Sequence, residues 1–222
     1  MSCRSICVIF CTMLFLAPIS SEAADVAQFM DDVISALSLA EQARSRAVDV
    51  NADDPISTES GLRFAINDLQ KAKGYVEPYQ QDQDEMIRTS ANGLVEALSL
   101  LIRFYGENGR LMDRLYKMQI EGASVDDLLK LKNEGAQQGV DIDNAWEMVM
   151  LSAIAASHVL VGSRTGERMD RLVLTAEEQQ ALIQQIDAVV PEAKTGLRVG
   201  QTKAVAGIAG IRQVLAEFPP KQ

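Results

Sequence analysis

The chain has 222 residues, 47% of them apolar and only 5% aromatic, with a formal net charge of −10. That balance excludes a phosphate-binding surface of clustered Lys and Arg, and with it nucleic acid as a partner. The three cysteines are Cys3, Cys7 and Cys11, so the chain beyond them offers no disulfide, thiolate nucleophile or thiolate metal ligand.

The first residues have the order of a secretory signal. Arg4 is the only charge before an apolar run from Ile6 to Ile19, and Pro18 breaks that run near its end. Ser21-Glu22-Ala23 then places small residues where a signal peptidase reads them. The expectation is a signal peptide over 1–23, cleaved after Ala23, and a periplasmic or secreted chain with no transmembrane span left. A retained anchor is the alternative. A lipoprotein is disfavoured because Val8-Ile9-Phe10 precedes Cys11 without a small residue.

Residues 24–222 form one domain in this reading, filled by Ala, Leu, Val and Ile as helix–helix packing allows. Apolar residues recur at three- and four-residue spacing almost throughout. A first helix is predicted from Asp25 to Val48. A second follows a turn at 51–55, is capped by Ser57 or Thr58, and stops before Pro78. A third runs from Asp84 to Tyr116 through Gly106 and Gly109, which make a soft point.

Ser124 and Asp127 form a capping-box variant that opens a short fourth helix. Gly135 and Gly139 are expected to end it, and Asp141 or Asp143 to cap a fifth. From Met148 to Val161 that fifth helix carries only Ser152, Ser157 and His158 as polar residues. A helix apolar all round belongs inside, so this segment is the expected buried central helix. A flexible break is expected over 162–174. Thr175 and Glu178 cap a sixth helix that ends at Pro191, and a last helix runs from Leu197 to Leu215. The fold class is therefore all-α: six to seven helices, antiparallel to their neighbours, around Met148–Val161.

The charge is uneven. From Ala24 to Gly162 there are 12 basic and 23 acidic residues, and from Ser163 to Gln222 there are 8 and 7. A solvated acidic surface accounts for the first part. Arg164, Arg168 and Arg171 cluster beside the break and are one candidate binding loop.

His158 is the only histidine. In an apolar helix it reads as a hydrogen-bonded core residue, or as a group that charges in acid and so senses pH. A di-iron carboxylate bundle needs Glu-x-x-His on two helices, and Ala155 stands three before His158. Lys194-Thr195-Gly196 spells the third motif of penicillin-interacting serine enzymes, but neither Ser-x-x-Lys nor Ser-Asp-Asn occurs. Glu59-Ser60 resembles the acid-bearing Glu-Ser of lytic transglycosylases, which implies a general acid at Glu59, although their downstream Gly-Leu-Met-Gln stretch is missing. Asp82-x-Asp84 and Asp141-x-Asp143 begin like calcium loops and lack the glycine at six and the glutamate at twelve. Leu174-Thr175-Ala176-Glu177-Glu178-Gln179 resembles the Leu-Thr-x-x-Gln signature of small periplasmic stress chaperones, with Glu178 where Gln should stand.

No catalytic residue, cofactor site or metal site is assigned from these patterns. The expected function is a non-enzymatic binding or scaffolding module of the envelope, acting on a protein partner or a small apolar ligand. The alternatives are a carboxylate-dependent envelope hydrolase acting through Glu59 and a pH- or ligand-responsive sensor acting through His158.

Overall fold

The structure is a computed structural model that describes residues 25–48, 55–162, 171–194 and 203–222. The described residues form six α-helices: α1 (Val26–Val48), α2 (Pro55–Val76), α3 (Glu85–Glu121), α4 (Val125–Ser157), α5 (Ala176–Lys194) and α6 (Lys203–Glu217). Two 3-10 turns, Glu77–Gln81 and His158–Val161, follow α2 and α4. Among the described residues there is no strand. An all-α helical bundle is what the periodicity demanded.

The caps form where local chemistry places them. The Asp84 carboxylate accepts the Met86 N–H at 2.8 Å, and the Ser124 hydroxyl accepts the Asp127 N–H at 3.2 Å. Thr175 and Glu178 close a reciprocal capping box: the Thr175 N–H donates to Glu178 at 2.6 Å, and the Glu178 N–H donates to Thr175 Oγ1 at 3.3 Å. Gly122 ends α3 at a φ of 73°, which glycine adopts without a Cβ penalty, and so lets the chain reverse within three residues into α4.

Five expectations give way to the structure. The second helix starts earlier, at Pro55. The fourth and fifth helices are one, α4, which runs through Gly135, Gly139, Asp141 and Asp143 without a break. Gly135 sits where a Cβ would be 3.6 Å from Leu111 of α3, so helix packing holds the backbone where propensity alone would release it. The sixth predicted helix is α5, which continues past Pro191 to Lys194; α6 is described from Lys203, and Leu197 lies outside the described residues.

The fourth correction concerns the centre. Within Met148–Val161, Leu151 is 55% exposed, and Met148, Ile154, Ala155 and His158 are exposed too. The central helix is α1 instead. Phe29, Met30, Val33, Ile34, Leu37 and Ala40 are fully buried, and α1 touches all five other helices. Nor are all neighbours antiparallel. Lys203 pairs with Glu147, and Gly207 and Gly210 lie against Ala153 and Ile154, so α6 runs parallel to α4.

The C-terminal tail then clasps the chain ahead of α5. The Leu172 N–H donates to the Pro219 carbonyl at 2.8 Å, and the Lys221 N–H donates to the Leu174 carbonyl at 2.7 Å. Leu172 and Leu174 are buried beneath it.

Candidate functional site

The longest helices are α3 and α4, with 37 and 33 residues against 23 for α1. At 1.5 Å per residue α3 spans roughly 55 Å, some 20 Å more than α1. The excess forms an arm. Between Leu111 of α3 and Ala145 of α4 the only buried residue is Leu131, and neither Leu111 nor Leu131 belongs to the main core.

The sequence explains how two helices hold together there. Leu111, Leu115 and Met118 on α3 face Leu128, Leu131, Gly135, Gln138 and Ile142 on α4, at alternating three- and four-residue steps. Each of these positions is buried or half-buried. That spacing is a coiled-coil seam. Two pairings fix its sides. Arg114 and Glu134 form an ion pair at 2.7 Å on one flank, and the Trp146 indole N–H donates to the Tyr105 hydroxyl at 3.2 Å on the other.

The two flanks differ in chemistry. Arg114, Lys117, Asp127, Lys130 and Glu134 occupy the first. The second carries Met112, Tyr116, Gln119, Val125 and Leu129, with Lys132 its only charge along that stretch. Near the tip it is bare: Tyr116 is 40% exposed, Val125 73% and Leu129 51%, and Ile120, one turn beyond Tyr116, is 68% exposed.

At the base of the apolar flank the arm meets the end of the α1–α2 pair in two adjoining clefts. The larger, of about 700 Å³, is lined by Arg44, Leu62, Tyr105, Asn108, Asp143 and Trp146, with Glu147 and Lys203 at its edge. The smaller, of about 450 Å³, lies between Glu59, Arg63 and Ile66 of α2 and Gly106, Gly109 and Arg110 of α3. Leu62 and Tyr105 line both. Gly106 and Gly109 have open space where a Cβ would stand, so their lack of side chain opens the smaller cleft. Burial pushes the Tyr105 phenol up to about 12, so it remains a neutral hydroxyl at physiological pH. Glu41 engages Arg44 through both carboxylate oxygens at 3.2–3.3 Å, and Glu147 engages Lys203.

The sequence-derived candidates are not brought together. Glu59 is exposed and bound to Arg63 at 2.7 Å, so the burial a general acid draws on is missing there. His158 corrects the core reading: it is exposed at the end of α4, where its backbone N–H donates to Ala155 and Ala156. A sensor that charges inside the core therefore has no support at this position. Arg171 is exposed, and its guanidinium lies 3.1 Å from the Gln222 amide oxygen in the orientation that pairs the two. It secures the tail clasp. Arg164 and Arg168 lie outside the described residues, as do Thr195 and Gly196. Asp141 and Asp143 are helical, not part of a loop. Among the described residues no three His, Cys, Asp or Glu side chains converge as metal ligands would.

Sequence reasoning missed the arm and the Tyr105–Trp146 pair. The signal is the seam spacing from Leu128 to Ile142, which Gly135 and Gly139 mask because glycines so placed resemble a helix end. No protein-family model, curated protein or solved structure matches the chain.

Proposed function

We propose that the chain is an exported, non-enzymatic scaffolding module that works by protein–protein contact through the α3–α4 arm. The observation that carries this reading is the arm's asymmetry, with one flank charged and ion-paired and the other apolar and open to solvent at its tip. Exposed apolar side chains gathered on one side of a projecting element are a recurrent mark of an interaction surface. The clefts at the base are walled by charged and amide groups, which favours a protein surface over a small apolar ligand. Export rests on the N-terminal order of charge, apolar run and small residues, and an unpaired apolar arm suits a compartment where this chain meets envelope proteins.

The test is site-specific photo-crosslinking in the native envelope. A photoreactive residue at Ile120 or Leu129 is expected to give a discrete protein adduct, and one at Lys117 or Lys130 on the charged flank to give none. Equal labelling from both flanks, or no adduct at all, refutes the reading.

A further inference from the structure

We infer that the partner of the arm's apolar flank is a second copy of this chain, two arms pairing side by side into a four-helix bundle. The inference rests on the arm being the docking element and adds the identity of its occupant.

A two-helix seam buries little on its own. Leu111 and Leu131 are the only buried residues it contributes outside the main core. Yet α3 and α4 stay helical to the tip, where Tyr116, Ile120, Val125 and Leu129 remain exposed. A four-helix bundle is the common way in which a helical hairpin covers such a flank. At the stated exposures the four side chains leave on the order of 400 Å² of surface, the size of the largest patch a typical monomer shows. Pairing two copies removes about twice that. With the neutral rim of Met112 and Gln119, the total reaches roughly 1,200 Å², the lower bound of specific, stable interfaces.

Charge selects this flank over the rest of the surface. A chain of net charge −10 repels its own copies wherever acidic faces meet. On the stretch of the apolar flank that carries Met112 and Leu129 the one charge is Lys132, while Asp143 and Glu59 stand in the clefts at its base, so two copies can approach near the tip without opposing carboxylates. The geometry is self-complementary as well. A two-fold axis across the flank would set the Tyr116 and Leu129 rows of the two copies against each other, the isologous contact of a cyclic dimer.

Native mass spectrometry and sedimentation velocity on the purified full chain test the pairing at about 50 µM, a concentration at which an interface of this size is populated. A dimer is expected. Tyr116→Glu with Leu129→Glu should raise its dissociation constant on the order of 100-fold. Lys117→Gln with Lys130→Gln should leave it unchanged. Both changes sit outside the seam, and an unchanged far-UV circular dichroism spectrum shows that the arm still folds. A monomer at that concentration overturns the inference, as does a dimer indifferent to Tyr116→Glu/Leu129→Glu. A monomer that still gives an adduct to another protein from Ile120 refutes the second copy while sparing the arm as docking element. Loss of both dimer and adduct removes both.

Discussion

At the scale of single residues the most informative group is Asp31. Burial raises its carboxyl above the usual range, the neighbouring Asp32 adds to the rise, and a hydrogen bond from Gln185 opposes it. The folded chain therefore holds this proton more tightly than the unfolded chain does. The contribution to stability is best below the unfolded value of 3.8, falls as pH rises through the folded value, and stays at its low level above it. Asp31→Asn imitates the protonated form. It should raise the melting temperature at pH 7 by about 1–2 °C, a modest gain because the group is partly solvated and screened. Thermal melts at pH 3 should show no such gain. An advantage as large at pH 3 as at pH 7 would locate the effect in packing and not in charge. Nearby, the Tyr79 hydroxyl donates to Asp32 at 2.5 Å and the Tyr79 ring meets Phe29 edge-on at 5.0 Å, so this corner ties the start of α1 to the turn after α2.

At the scale of elements, two helix glycines should respond oppositely to the same substitution. A Cβ on Gly207 would stand 2.7 Å from the Ala153 Cβ, and the helices at that crossing, α4 and α6, would have to separate. Gly207→Ala should cost about 1–3 kcal/mol from overpacking, more than the ~1 kcal/mol that alanine returns in helix propensity. Gly109 has open space, so Gly109→Ala should stabilise by about 0.5–1 kcal/mol. Urea unfolding of the two variants checks the pair, and a loss of stability at Gly109 would contradict the open cleft. The contrast explains why glycines mislead when read along the chain. Gly135 packs on Leu111, Gly207 on Ala153, and Gly106 and Gly109 on nothing described, yet all four carry the same intrinsic penalty. The capping boxes at Ser124 and Thr175 were legible because both partners lie within three residues.

At the scale of the molecule, the bundle and the arm should differ in stability. Eight residues of α1, from Phe29 to Ala43, are fully buried, whereas the arm buries Leu111 and Leu131. Amide hydrogens between Met112 and Gln138 should exchange at least tenfold faster than those of Met30 to Ala40 at low protein concentration, because local opening of a thin seam costs far less than global unfolding. Hydrogen exchange followed by mass spectrometry measures this directly. Equal protection in both regions would mean that the arm belongs to the cooperative core, contrary to its burial. The same difference in packing lets the thin seam open locally without disturbing the helices that hold the fold.

The amino-acid sequence by itself determined that the described chain is helical, where α1 and α3 begin and where two capping boxes close. Those properties depend on a 3.6-residue period and on hydrogen bonds that reach no further than one turn. Only the tertiary structure decided that α1 occupies the centre, that α6 runs parallel to α4, that His158 faces water, and that α4 survives its glycines to build an arm. An apolar stripe states that one face prefers cover, but whether the face is covered depends on where the neighbouring helices stop. Here α1, α2 and α6 stop short of the α3–α4 tip.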